Sequence, residues 1–358
     1  MAPSTSGPAP DLSELKFRTF AELLETWARE HGPDVILHLL SDSNPNKSLD
    51  VTYRDLYDRA RAKAAALQER GVRKGEKVVL VLPTGIEFVA CFFGTVLAGA
   101  VPVPAYPPFG LGKLDEYLDR LVGIVTDSEA VAVCTTRAVF GVIGQALARM
   151  PGLRDVYVAS QLVGDVARFT PVALEAEDTV LLQYTSGSTG TQKGVELSHR
   201  NILSNLHGIG LGVEVREGVD VGACWLPLCH DMGLIGCLLW CSYWRVALVL
   251  MSPQAFIGDP KRWLWGIHKY RVTLSPAPNF AYDICARRIP EEDVAGLDLS
   301  SWRVAFNGAE PVSFISLDAF SARFGAHGFK RTALFPVYGL AEDSLAAAFP
   351  VPGADVVI

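Results

Sequence analysis

The ten residues Thr185-Ser-Gly-Ser-Thr-Gly-Thr-Gln-Lys-Gly194 carry five hydroxyls, three glycines and one lysine. That composition suits a polyanion. Glycine lets the backbone turn until its N–H groups face the anion, hydroxyls donate further bonds, and lysine offsets charge. The stretch follows the apolar run Val180–Tyr184 and leads toward Ser198, which is placed to cap a helix running to about Leu206. A solvated Ser/Gly linker is the alternative reading, but linkers rarely come straight off a buried strand and end in a capped helix. The loop is not a P-loop. Counting from Gly187, that motif needs glycine at 192 and then Lys-Ser/Thr, whereas the chain has Gln192, Lys193 and Gly194. The residues expected to hold phosphate are Thr185, Ser186, Gly187, Ser188, Thr189, Gly190, Thr191 and Lys193.

Two more stretches follow in order: Asn307-Gly-Ala-Glu-Pro311 and Tyr338-Gly-Leu-Ala-Glu342. With the first, they resemble the phosphate loop, adenine turn and tyrosine–glutamate segment of the adenylate-forming superfamily. That superfamily comprises acyl-CoA ligases, nonribosomal-peptide adenylation domains, luciferases and fatty acyl-AMP ligases. The resemblance covers roughly Phe17 to Phe349. It implies ATP as cosubstrate, an adenine turn built from Asn307, Gly308, Ala309 and Glu310, and adenine stacking on Tyr338, with Gly339 and Ala341 beside it. It also implies that Glu342 is a hard oxygen ligand for Mg²⁺ bridging the phosphates. Taken singly, Tyr338 could be a core aromatic and Glu342 a helix N-terminal acid.

Trp225-Leu-Pro-Leu-Cys-His-Asp-Met-Gly-Leu-Ile-Gly236 is similar to the corresponding stretch of fatty acyl-AMP ligases. Amino-acid-activating relatives instead place a carboxylate in the pocket for the substrate ammonium. The resemblance implies an acyl site formed by Trp225, His230, Asp231, Met232, Gly233 and Ile235. His230 would stand at the pocket mouth against the reacting carboxylate, and Asp231 would orient it. His230, Lys193 and Glu342 are then the catalytic candidates. The apolar helix Met232–Trp244 could wall a slot for an alkyl chain at about 0.8 kcal/mol per buried methylene, or it could simply be core. The chain departs from the usual family form at Cys229, where a bulkier residue often precedes the histidine, and at Gln192, where proline or serine is common.

Fatty acyl-AMP ligases pass the acyl group to the phosphopantetheine of an acyl carrier protein, which the resemblance makes the expected partner. A fatty acyl-CoA ligase and a non-catalytic acyl- or nucleotide-binding domain of a larger assembly stay open as alternatives. Family members also carry a Thr-Gly-Asp segment for the ribose and a small mobile lobe with a catalytic lysine. Neither lies in this chain up to Ile358, so the chain alone is expected to be poor at adenylation.

The elements needed to position these residues are legible as an α/β pattern. Short apolar runs alternate with amphipathic segments, and several end in polar or Gly-rich turns, where open α/β sheets bind ligands. Thr52 with Asp55 signals a capped helix whose face is Leu56, Ala60, Ala64 and Leu67, ending at Gly71. A strand is expected at Lys77–Pro83, a helix over Ile86–Leu97, and an extended, proline-held Val101–Pro108. Further strands are expected at Ala130–Cys134, Val156–Ala159, Val180–Tyr184, Cys224–Pro227, Val246–Met251, Val304–Asn307 and Ala333–Tyr338. The fold class is therefore α/β, two packed α/β/α lobes of the adenylate-forming N-terminal kind, lacking the final barrel segments and mobile lobe. The division expected is a leader at 1–15, a first lobe at 16–175 and a second at 176–358 carrying the phosphate and adenine motifs, with residues 16–70 able to pack on the second.

Composition agrees with a well-buried enzyme: 358 residues, 49% hydrophobic and 20% charged, with net charge −7. There is no Lys/Arg run of the kind that tracks nucleic acid. The seven cysteines read as free thiols in a reducing compartment, and Cys237 and Cys241 lack a second pair at metal-ligand spacing. The leader has no signal-peptide pattern, and Arg245 interrupts the most apolar stretch, so no membrane span and a cytoplasmic location are expected.

Overall fold

The structure is a computed structural model that describes residues 14–44, 47–108, 114–185 and 193–354. Its strands in chain order are β1 (Val35–Leu40), β2 (Ser48–Thr52), β3 (Lys77–Val81), β4 (Val101–Pro104), β5 (Ala132–Thr135), β6 (Asp155–Val158), β7 (Thr179–Thr185) and β8 (Lys193–Ser198). They continue as β9 (Val221–Cys224), β10 (Ala247–Leu250), β11 (Leu274–Ala277), β12 (Val304–Asn307), β13 (Leu334–Pro336), β14 (Tyr338–Gly339) and β15 (Ala346–Ala348).

Seven strands form the larger sheet in the order β13-β12-β11-β9-β10-β1-β2. Every pairing is parallel except β1 with the edge strand β2. Thus strands from residues 35–52 complete a sheet otherwise built after residue 220. The smaller sheet, β4-β3-β5-β6, is all parallel. Strands buried on both faces need continuous apolar runs, and Val78 to Val81 are each fully buried.

The helix Tyr53–Glu69 begins at a reciprocal capping box, with the Asp55 amide donating to Thr52 Oγ1 and the Thr52 amide to the Asp55 carboxylate. It packs on Ile86–Leu97, in which every residue from Phe88 onward is buried. A helix this apolar past its first turn is stable only inside a core. The crossing is tight: a Cβ on Gly94 would lie 2.4 Å from Lys63 Cβ and 2.9 Å from the Ala60 carbonyl. Lys63 is itself buried, its ammonium donating to Glu87 at 2.8 Å and to the Ala159 carbonyl at 2.6 Å.

Three local expectations need correction. The Ser/Gly-rich loop does not run from a strand into a helix. Lys193–Ser198 is a strand that pairs antiparallel with β7, and only then does Ser198 cap the helix His199–Gly212. The strand expected at 224–227 lies earlier, at Val221–Cys224, because Pro227 cannot extend the ladder. The apolar helix over 232–244 is continuous but not uniform. An α turn at Asp231–Gly233 passes into a π-helical segment, Leu234–Leu239, and returns to α at Trp240–Trp244. Arg245 then ends it in the left-handed region at φ 52°.

Candidate active site

A cleft of about 400 Å³ opens where β11, β12 and β13 end side by side. Parallel strand ends of this kind are where α/β sheets bind ligands. Its wall brings together residues from six segments distant in sequence. They include Thr185 at the end of β7, His230, Asp231 and Met232 at a helix start, Ala309 after β12, and Tyr338, Gly339, Ala341 and Glu342 after β13.

His230 is the N-cap of the helix beginning at Asp231, with extended backbone at φ −111° and ψ 145°. Its Nδ1 lies 2.6 Å from Asp231 Oδ1, and the Met232 amide donates to the same carboxylate oxygen at 2.6 Å. The hydrogen bond to Asp231 lifts the imidazole pKa above its ordinary value against the opposing effect of burial. The loop entering this helix is tied to its neighbours. Gln183 Nε2 on β7 donates to the Cys229 carbonyl at 3.0 Å, and the Leu228 amide donates to Thr84 Oγ1 at 3.4 Å.

The turn after β12 is over-determined. Asn307 is fully buried, its Nδ2 donating to Asn279 Oδ1 at 3.2 Å, and that oxygen also accepts from the Ser313 amide at 2.9 Å. A Cβ at Gly308 would fall 2.7 Å from Val337 Cγ2 and 2.9 Å from the Val337 carbonyl. Glu310 accepts from the Phe280 amide at 2.6 Å. Held this way, Ala309 takes φ +67°, unusual for a residue with a Cβ, and joins the cleft wall. Asn307, Gly308 and Glu310 brace the turn without lining the cleft.

Tyr338 is 67% exposed, a large aromatic face left open on the cleft. It sits on the short hairpin β14–β15, which Asn205 tethers at both backbone groups of Ala346, accepting at 3.1 Å and donating at 2.9 Å. Between the strands, Gly339 passes so close to Leu345 that a Cβ would lie 1.9 Å from the Leu345 carbonyl oxygen. Ala341 is buried and Glu342 exposed in the single tight turn that follows.

Other residues singled out in the sequence lie elsewhere. Trp225 is buried against Phe256, with ring centroids 3.8 Å apart. Gly233 packs under Pro227, and Ile235 is fully buried; none of the three lines the cleft. Lys193 is exposed at the start of β8. Ser186, Gly187, Ser188, Thr189, Gly190, Thr191 and Gln192 lie outside the described residues.

The cleft also has lining that sequence reasoning had not picked out: Ile209, Gly236, Trp240, Pro276, Phe306 and Phe349 among it. One signal was available. Met232, Gly236 and Trp240 stand four apart, the spacing of one helix face.

Residues 24–357 match the family model described as AMP-binding enzyme. The chain is 36% identical over 339 residues to the medium-chain-fatty-acid–[acyl-carrier-protein] ligase JamA of Moorena producens, a match covering 93% of this chain and 56% of that protein. It is 33% identical over 345 residues to the long-chain-fatty-acid–AMP ligase FadD26 of Mycobacterium marinum, covering 94% of this chain and 58% of that one. The fatty acyl-adenylate ligase of L. pneumophila, solved with acyl adenylate and pyrophosphate, superposes with a TM-score of 0.85 at 35% identity. That superposition covers 95% of this chain and 58% of the solved one. The chain therefore spans little more than half the length of the relatives it matches. With its three motif stretches in order and the family model spanning nearly all of it, the chain belongs to the AMP-binding enzymes and has the N-terminal fold of the fatty acyl-adenylate ligases.

Proposed function

We propose that the protein activates a fatty acid with ATP as an acyl-adenylate, releasing pyrophosphate, and passes the acyl group to the phosphopantetheine thiol of an acyl carrier protein. The observation that carries this reading is the convergence on one cleft of Thr185, the His230–Asp231 pair, Ala309 and the open face of Tyr338. A carboxylate oxygen of the acid attacks the α-phosphorus of ATP, an acyl O–P bond forms, and the bond from that phosphorus to pyrophosphate breaks. Tyr338 and the Ala309 turn hold adenine, and Thr185 and Lys193 serve the phosphates. His230, kept more basic by Asp231, donates to the reacting carboxylate. The helix beyond it lines the acyl slot. Positioning of this sort, rather than covalent chemistry by the protein, supplies most of the acceleration in such displacements.

Glu342 fits a Mg²⁺ site. It offers one hard carboxylate on the cleft wall, which is what Mg²⁺ takes when substrate phosphates and water complete its shell. Among the described residues no group of three or more metal-ligating side chains gathers. When bound, the ion offsets phosphate charge. The reading also places the protein in the cytoplasm, with ATP and carrier proteins. Its seven cysteines are free and buried, and no helix among the described residues is long and apolar enough to cross a membrane.

The test offers the full-length protein ATP, Mg²⁺ and a C12 fatty acid, with either CoA or a phosphopantetheinylated carrier, and identifies products by mass spectrometry. Acyl-AMP and acyl-carrier without acyl-CoA is the expected outcome. Abundant acyl-CoA would make it an acyl-CoA ligase, and absence of any adenylate would leave a binding domain.

A further inference from the structure

Gly236 and Leu345 both line the cleft, one from the helix that begins at Asp231 and the other from the hairpin that carries Tyr338, and the two residues touch. A Cβ on Gly236 would lie 2.7 Å from Leu345 Cδ2 and, its own helix aside, would meet no other described residue within 4 Å. The space in front of Gly236 is thus open cleft with one leucine side chain standing in it. The backbone that carries this leucine is fixed. Asn205 binds both the amide and the carbonyl of Ala346, at 3.1 and 2.9 Å, and the Leu345 carbonyl accepts the Leu340 amide at 2.9 Å. Gly339 packs against that same carbonyl. What can move is the isobutyl group, which steps between staggered rotamers.

We propose that Leu345 sets the length of acid the enzyme accepts: its side chain pinches the acyl slot against Gly236, and chains that end before the pinch bind without displacing it. This rests on the acyl-adenylate reading above, which puts the carboxylate at His230. Gly236 stands six residues beyond His230. That is roughly 9 Å along the helix axis, so an extended chain meets the pinch at about its eighth carbon. Trp240, one turn further along the same face, lines the part that a longer chain has to enter. Glycine at 236 leaves the room that the leucine fills, so the two residues act as one constriction. A longer acid gains the burial of its further methylenes only by turning the leucine aside and giving up that packing.

The full-length protein is given an equimolar mixture of the even-numbered alkanoic acids from hexanoic to hexadecanoic, and the acyl-AMP species are quantified by mass spectrometry. The wild type should favour the medium acids. Leu345→Ala should raise the ratio of hexadecanoyl- to octanoyl-AMP about tenfold, the scale of two further methylenes buried. Gly236→Ala sets a methyl against Leu345 Cδ2 and should lower the same ratio several-fold. In the Leu345→Ala background that methyl has no Cδ2 to meet, so Gly236→Ala should there change the ratio by less than about twofold. Each ratio is read within one mixture and holds whatever happens to the total rate. An unchanged length profile in Leu345→Ala would overturn the proposal while leaving the adenylation reading intact. So would an effect of Gly236→Ala that is equal in both backgrounds. If Leu345→Ala does not fold, Leu345→Val, shorter by one carbon, must shift the ratio in the same direction. No adenylate from any acid would instead remove the reading on which the proposal rests.

Discussion

His199 joins the first helix to the element that follows the β7–β8 hairpin, and its protonation should set how the protein tolerates acid. The ring is 1% exposed, and its Nδ1 accepts the amide of Phe20, the first residue of the helix Phe20–Glu30. Helix-start amides have no partner within their own helix, so this bond is one the fold needs. Burial lowers the His199 pKa to about 4, against an ordinary 6.5. The folded protein therefore keeps the ring neutral, while the unfolded chain takes up a proton as pH drops below 6.5. Stability from this group is fully present above pH 6.5 and is lost as pH falls toward 4. At about 1.4 kcal/mol per pH unit, the loss is roughly 2 kcal/mol by pH 5, an order-of-magnitude figure. The comparison is with His199→Asn, whose amide oxygen can accept from Phe20 without titrating. Urea unfolding followed by tryptophan fluorescence at pH 7 and pH 5 gives the two differences. Carboxylates that titrate over the same range are common to both proteins and largely cancel. The wild type should lose about 2 kcal/mol more than the variant. Equal losses would show that His199 is not held neutral, and the reasoning would fail.

Tyr338 is mostly solvent-facing, so Tyr338→Ala should leave the melting temperature within a few degrees while raising KM for ATP about tenfold, and Tyr338→Phe should keep most ATP affinity. Thermal melts and ATP titrations of acyl-AMP formation check both. Asp231→Asn removes the group that raises the His230 pKa, so the high-pH limb of kcat/KM, where His230 loses its proton, should move to lower pH. An unshifted limb would mean that another group governs it. Gly339→Ala places a methyl within 1.9 Å of a backbone oxygen. It should cost on the order of 3 kcal/mol and weaken ATP binding with it, as seen by calorimetry; a melt unchanged by the substitution would mean the hairpin adjusts freely.

Much of this architecture is readable in the chain because its signals are local. The Thr52–Asp55 box, the Ser198 cap and the apolar run at Ile86–Leu97 each declare themselves within a few residues, and the structure shows an element at each place. What stayed hidden depends on partners far away. β2 reads as polar because three of its five residues are exposed at a sheet edge, and only pairing with β1 makes it a strand. β11 contains Pro276, which argues against an interior strand. It is tolerated because β9 pairs with β11 only at Leu274, leaving Pro276 beyond that ladder. β8 was masked by Lys193 and Gly194, which belong to the loop in composition and to the hairpin in pairing. The site divides the same way. Tyr338, Glu342 and His230 follow from motif order, whereas Ile209 and Phe349 reach the cleft through packing alone.

The π-helical turn at Leu234–Leu239 gives the cleft wall a particular kind of evolvability. A π turn is what remains when one residue is inserted into an α-helix without disrupting its ends. Deleting a single residue there would restore regular winding while the flanking turns, Trp240 and the His230 cap included, kept their places. Only the stretch between them, with Gly236 on the cleft wall, would be recast. One codon gained or lost thus remakes the middle of the wall in a single step. Both of its ends would be untouched.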